Sequence, residues 1–195
     1  MAADSSTEAR DIKQFLYGLR SQRIKYDLSR ITDACARLGN PQRAYRSVHV
    51  AGTNGKGSTC LFLDSLLRAC GQRTALYTSP HLVDYEERFL IDGRPAQTQW
   101  WVAVYRDCKQ VIDSCRLSFF EATTLIAFEL FRRRGVRWAV FETGLGGRLD
   151  ATNVLEPQLT MCTRVSIDHT TMLGTTVPQI AREKIGIAKP GRSEE

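Results

Sequence analysis

The run Val48-His49-Val50-Ala51-Gly52-Thr53-Asn54-Gly55-Lys56-Gly57-Ser58-Thr59 organises this chain. A short β-branched segment enters a glycine-rich turn that carries one lysine, and a helical pattern follows from Ser58. Such a turn points several backbone N–H groups at one spot, at the positive end of a helix dipole, and so can hold a polyphosphate. In that reading Gly52, Thr53, Asn54, Gly55, Lys56, Gly57 and Ser58 form the cradle. Lys56 reaches the outer phosphates, and Ser58 or Thr59 faces a magnesium ion. The standard phosphate loop places four residues between its first glycine and the Gly-Lys pair. Here only Thr53 and Asn54 separate Gly52 from Gly55-Lys56, and Gly57 intervenes before Ser58. The plainer alternative is a glycine-rich turn with a surface lysine, but the flanking strand and helix are what phosphate binding requires.

Outward from this run, strands and helices alternate. Apolar spacing predicts a helix over 7–20 with Ile12, Phe15, Leu16 and Leu19 on one face, and a second carrying Ile31, Ala34, Cys35 and Leu38. A strand over 47–51 leads through the glycine turn into a helix with Leu63, Leu66, Leu67 and Cys70 inward. A strand over 74–78 runs into Ser79-Pro80-His81, and a hairpin is expected near Arg88 to Ile91. Helices over 100–112 and 120–133, a strand over 138–142, a glycine-rich loop over 143–153, a strand over 159–167 and a helix over 178–184 complete the pattern. This alternation predicts an α/β fold: a mostly parallel sheet around a phosphate loop, with helices on both faces. Residues 1–46 read as leading helices and a loop, 47–191 as the nucleotide-binding domain and 192–195 as a tail.

Composition bounds the function. With 195 residues, 43% hydrophobic and 25% charged, the chain has the make-up of an ordinary globular protein with one substantial core. No apolar run is long enough to span a bilayer, and the Asp/Glu/Ser-bearing start lacks the apolar centre of a signal peptide. The net charge of +6 includes Arg132-Arg133-Arg134, which read as cations closing a helix. Without interleaved aromatics they make no nucleic-acid platform. The six cysteines show no CxxC pair or zinc-like spacing and read as small hydrophobes in a reducing compartment. The expectation is a cytoplasmic monomer with no structural metal, no nucleic acid and no membrane.

In open α/β sheets, ligands sit at the carboxyl ends of the strands. Four expected strands end in the glycine turn, Ser79, Glu142 and His169. A phosphate cradle, a hydroxyl, a carboxylate and an imidazole at one edge suit Mg-ATP, although magnesium prefers oxygen to nitrogen. Each has an ordinary alternative. Ser79 can start a turn at Pro80, His169 can start a helix after Asp168, and Glu142 can be a paired carboxylate behind a buried strand.

Five segments occur in order: 51–58 (Ala-Gly-Thr-Asn-Gly-Lys-Gly-Ser), 77–82 (Tyr-Thr-Ser-Pro-His-Leu), 142–153 (Glu-Thr-Gly-Leu-Gly-Gly-Arg-Leu-Asp-Ala-Thr-Asn), 168–170 (Asp-His-Thr) and 181–187 (Ala-Arg-Glu-Lys-Ile-Gly-Ile). Together they resemble the folylpolyglutamate synthase and dihydrofolate synthase family, relatives of the Mur ligases, over nearly the whole chain. The resemblance implies a Mur-ligase-like ATPase domain that activates a folate or dihydropteroate carboxylate with ATP, as an acyl phosphate, for attack by L-glutamate. It implies that Thr53, Asn54, Gly55 and Lys56 hold the ATP phosphates, and that Ser79, Glu142 and His169 bind Mg2+. Lys184 matches a lysine that the family carries as a carbamate, which makes Lys56, Lys184 and His169 the catalytic candidates. For the pterin it points to Gly18, Leu19, Arg20 and Ser21, to Ser118, Phe119, Phe120 and Glu121, and to Leu149, Asp150 and Ala151. Phe119 and Phe120 offer stacking faces, and Glu121 or Asp150 can accept from pterin nitrogens.

Members of that family continue into a second α/β domain, whereas this sequence stops after Lys189-Pro190-Gly191 and Arg-Ser-Glu-Glu. The expectation is therefore a truncated form, poorly active alone. Two other readings stay open: a Mur-type ligase for a different carboxylate, and a non-catalytic Mg-ATP-binding module. A Ser-His-Asp hydrolase has little support.

Overall fold

The structure is a computed structural model that describes residues 2–19, 27–189 and 193–194; Arg20 and Ser21 lie outside the described residues. The chain runs α1 (Ala2–Gly18), α2 (Ser29–Arg37), β1 (Arg46–Ala51), α3 (Lys56–Ala69), β2 (Thr74–Tyr77), β3 (Phe89–Ile91), β4 (Arg94–Pro95), α4 (Thr98–Ser114), α5 (Phe119–Arg133), β5 (Trp138–Glu142), β6 (Leu159–Cys162), α6 (Thr170–Leu173), α7 (Val177–Ile185) and β7 (Ser193–Glu194). The strands form one sheet in the order β4-β3-β2-β5-β1-β6-β7. Strands β2, β5, β1, β6 and β7 are parallel, and β3 and β4 turn back antiparallel at one edge. Register pairs Tyr77 with Phe141, Val50 with Glu142 and Ala51 with Cys162. The carboxyl ends of the four central strands therefore share one edge.

Every residue of β1 after Arg46 is buried, as expected of a strand covered on both faces. The larger core lies on one face, where Tyr77, Ala139 and Phe141 meet α4 and α5, with α1 and α2 packed outside them. Phe141 is its hub, with ring centroids 5.3 Å from Phe128, 5.6 Å from Phe131 and 5.8 Å from Tyr77. Truncation of such a buried ring to alanine costs about 3–5 kcal/mol. Helix α5 lies deep, with 12 of its 15 residues buried, and its internal hydroxyls find partners: Thr124 meets the Tyr77 hydroxyl at 3.1 Å and Thr123 accepts from Tyr85 at 3.2 Å. Its N-terminus is closed by a capping box between Ser118 and Glu121.

The opposite face holds a smaller core of Val48, Val50, Cys60, Leu76 and Val140. Here the orientation of α3 differs from expectation. Cys60, Leu63, Asp64 and Leu67 face the sheet, while Leu66 is 62% exposed and Cys70 is exposed. The buried Asp64 sets the rotation: it accepts from the Thr74 hydroxyl at 2.6 Å and from Arg68 Nε at 2.9 Å. The helix also begins at Lys56, two residues before the expected start at Ser58. Strand β6 stops at Cys162, short of the expected Ile167, because the next residues turn to pair with the glycine loop.

Candidate active site

The glycine loop is fixed mainly by its backbone. The Thr53 and Asn54 amides donate to the Arg164 carbonyl at 2.8 and 3.4 Å, and the Thr163 hydroxyl donates to the Asn54 carbonyl at 2.8 Å. The Thr53 hydroxyl donates to the Ser166 carbonyl and accepts from the Ser166 amide, each at 3.2 Å. A side chain at Gly52 has no room, since its Cβ would lie 1.8 Å from Thr163 Oγ1, at a φ of +152°. Gly55, at φ 85°, caps α3 from the left-handed region. Beyond it, among the described residues, the amides of Lys56, Gly57 and Ser58 make no backbone hydrogen bond. They are the unpaired first donors of a helix, a ready anion site. Lys56 folds over this turn, Nζ donating to the Thr53 carbonyl at 3.2 Å.

Glu142 faces the same turn from the end of β5. A methyl placed on Gly57 would sit 3.6 Å from Glu142 Oε2, which accepts from the Ser79 amide at 3.2 Å. Burial pushes the Glu142 carboxyl above the usual range, opposed by the Ser79 N–H and the charge of Lys56. Ser79 and Glu142 thus meet beside the glycine turn, through the Ser79 backbone amide. His169 stands apart on the loop before α6, exposed, at φ 47°, with Nε2 3.5 Å from Asp168 Oδ1. No hydrogen bond joins it to Ser79 or Glu142 among the described residues. Ser79 and Glu142 supply oxygen donors that fit magnesium, whose shell is otherwise filled largely by phosphates and water.

Lys184 approaches from α7. It is buried, and Nζ donates to the Gly52 carbonyl at 2.9 Å. Burial, then the nearby charge of Lys56, pushes its ammonium below the ordinary lysine value. The helix is held to the glycine-rich loop after β5 by the Arg148 amide, which donates to the Glu183 carbonyl at 2.7 Å, and by Asn153, which donates to the Gly186 carbonyl at 3.0 Å.

Beside these groups opens a cavity of about 760 Å³. Ser118, Phe119, Phe120, Glu121, Leu149, Asp150 and Ala151 all line it, and so does Ser79, which joins it to the phosphate side. Segments far apart in sequence thus meet at one cavity. Gly18 and Leu19 do not line it: Gly18 ends α1, and the Leu19 side chain is in the main core. The two cavity carboxylates differ in kind. Asp150 spends its oxygens within the chain, Oδ2 accepting from the Gly144 and Leu145 amides at 2.8 and 2.9 Å and Oδ1 from the Thr152 amide and hydroxyl. Those bonds fill a carboxylate's capacity of about four. Glu121 gives Oε2 to the Ser118 amide and hydroxyl, at 2.8 and 2.7 Å, while Oε1 is buried without a hydrogen-bond partner among the described residues.

Two contributors were not read from the sequence. His49, wholly buried in β1, donates from Nε2 to the Thr152 hydroxyl at 2.7 Å and so extends the Asp150 chain beneath the loop. Its position in the β-branched run marked it only as a strand residue. Arg88 lines the cavity and is 4% exposed, although an arginine after Glu86 and Glu87 reads as a solvated charge cluster.

No protein-family model matches the chain. Among curated proteins, the dihydrofolate synthase/folylpolyglutamate synthase of Bacillus subtilis is 38% identical over 192 residues, 95% of this chain and 45% of that protein. Among solved structures, E. coli FolC in complex with DHPP and ADP matches with a TM-score of 0.90 and 36% identity, over 94% of this chain and 44% of that one. The bifunctional folylpolyglutamate synthase/dihydrofolate synthase of Yersinia pestis, complexed with AMPPNP and a Mn ion, matches with a TM-score of 0.89 and 35% identity, over 95% and 45%. In sequence and in fold, then, nearly the whole chain is similar to dihydrofolate synthase/folylpolyglutamate synthases, and it spans less than half the length of these relatives.

Proposed function

We propose that this chain forms the phosphate-binding and pterin-binding part of an ATP-dependent ligase that joins L-glutamate to a dihydropteroate or folate carboxylate. One observation carries the reading: Ser79 belongs both to the Glu142 cluster beside the phosphate loop and to the wall of the aromatic cavity. An acid seated in that cavity presents its carboxylate toward the terminal phosphate of ATP. The ligands of the related structures, DHPP, ADP, AMPPNP and Mn, support the same pairing of sites.

In this mechanism a carboxylate oxygen attacks the terminal phosphorus and ADP leaves. The glutamate amine then attacks the acyl carbon, phosphate departs and the amine proton is released. The chain contributes position and charge rather than a nucleophile. The amides of Lys56, Gly57 and Ser58, with the Lys56 ammonium, hold the phosphates; Ser79 and Glu142 would hold magnesium. When bound, magnesium neutralises charge on the transferred phosphoryl group. Phe120 offers a face to the pterin and Glu121 Oε1 accepts from one of its N–H groups. Lys184 suits carbamylation, because burial favours the neutral amine that adds to carbon dioxide with loss of a proton. The free thiols of all six cysteines fit a cytoplasmic setting, and among the described residues no helix is long and apolar enough to cross a membrane.

Calorimetric titration of the chain with Mg-AMPPNP, alone and after saturation with dihydropteroate, tests the reading. Each ligand should bind, and each should tighten the other. A chain that binds the nucleotide and ignores dihydropteroate is a nucleotide-binding module, and the ligase reading fails.

A further inference from the structure

Arg88 ends the single helical turn Tyr85–Arg88, and its side chain forms part of the cavity wall beside Ser79, Ser118 and Phe119. A guanidinium so far from water ordinarily lies against a carboxylate, because an uncompensated buried charge is strongly unfavourable. Here it has none. Its neighbours in sequence are engaged elsewhere: Glu86 pairs with Lys13 at 2.8 Å, and Glu87 accepts from the Leu82, Val83 and Asp84 amides. The contacts of Arg88 itself are neutral. Nε donates to His81 Nδ1 at 2.6 Å, and the guanidinium lies over the Phe119 ring at 5.2 Å, close to the Tyr77 hydroxyl. Because Nδ1 accepts, His81 carries its proton on Nε2, which faces the Tyr17 hydroxyl at 3.3 Å. A ring face and a neutral imidazole orient the guanidinium without neutralising it.

We propose that Arg88 binds the carboxylate of the acid that enters this cavity, the group that is to be activated. The assignment rests on the function proposed above and supplies the cation that its acid end needs. With Nε held by His81 and the Tyr77 hydroxyl also within hydrogen-bond reach, the remaining N–H groups of the fork can meet a carboxylate through parallel N–H···O bonds, a geometry that a lysine does not reproduce. In the free chain Arg88 has no carboxylate in contact among the described residues, and the bound acid supplies one.

The test compares wild type with Arg88→Met and Arg88→Lys, using pteroic acid, its carboxamide and Mg-AMPPNP as probes, together with thermal melts of the ligand-free proteins. Wild type should prefer the acid over the amide by about tenfold or more, the worth of a charge-assisted pair. R88M should bind the two alike, with the acid weakened to the amide's level, and R88K should recover only part of the preference. Nucleotide affinity should stay within about twofold in both variants, and ligand-free R88M should melt at or a few degrees above wild type. An R88M protein that keeps the preference, or one that melts several degrees lower, overturns the assignment. A variant that loses Mg-AMPPNP instead of the acid also overturns it and places Arg88 on the nucleotide phosphates. A wild-type chain that binds neither pteroic acid nor its amide removes the proposed function and this assignment together, and shows it before any variant is made.

Discussion

The phosphate loop and the neighbouring cavity are built by opposite means. From Gly52 to Ser58 the site consists chiefly of backbone: amides, carbonyls and two glycines whose φ angles are positive. The cavity is made of side chains from segments distant in sequence, and its polar members are buried in unequal states of satisfaction. A backbone site depends on conformation and tolerates changes in exposed side chains. A side-chain site depends on hydrogen bonds that single substitutions remove.

The largest expected effect comes from crowding the backbone site. Gly52→Ala places a Cβ in the space of Thr163 Oγ1 at an unfavourable φ, and should cost about 2–4 kcal/mol, judged from backbone strain and overpacking. Denaturant melts should show that loss, and titration should show Mg-AMPPNP binding abolished. If G52A binds the nucleotide normally, the loop is not held by backbone fit.

Asp150→Asn probes the other side. It turns an acceptor toward two N–H groups into a donor, and loss of bonds to a charged group costs about 1.5–3 kcal/mol. Pteroate affinity should fall about tenfold or more in the same equilibrium, with nucleotide affinity little changed. Equal loss of both ligands would join the two regions into one unit.

His49 gives a pH signature beneath the cavity. Burial, with a smaller effect of the Lys189 charge, pushes the His49 imidazole down to about 3 from 6.5. The unfolded chain therefore binds a proton that the folded chain refuses as pH falls through 6.5. Stability is complete above that value and falls toward pH 3, with a slope of up to about 1.4 kcal/mol per pH unit for one proton. Urea melts between pH 7 and 4.5 should show this slope in wild type and a shallower one in His49→Gln. Parallel curves would remove His49 as the source.

The smallest effect is expected at Asn54. Its exposed amide makes one long contact with the Ser166 hydroxyl, at 3.4 Å. Asn54→Ala should change stability by less than about 0.5 kcal/mol and nucleotide affinity by less than about threefold, since the backbone amides remain. A larger loss of affinity would show that this side chain touches the phosphates and would blur the contrast between the regions.

The same contrast explains what was legible in advance. The glycine loop announced itself through glycine spacing, the strands through β-branched runs, and α4 and α5 through apolar periodicity, because backbone geometry and burial periods are local properties. The rotation of α3 was not local, since Asp64 could be placed inward only by knowing that Thr74 lies beneath it. The end of β6 was likewise set by pairing with Asn54, more than a hundred residues earlier. The resemblance offered Glu121 and Asp150 alike as acceptors; the fold satisfies Asp150 within the chain and, among the described residues, leaves one buried oxygen of Glu121 unpaired.

By itself, then, the sequence determined the α/β alternation and the glycine turn between β1 and α3, because each rests on the conformational demands of neighbouring residues. Only the tertiary structure decided which groups in the candidate site are already satisfied. Among the described residues it left Glu121 Oε1 without a donor and buried Arg88 without a carboxylate in contact. The reason is physical: the state of a buried charge depends on what lies across the cavity from it, and those partners come from segments that only folding brings together.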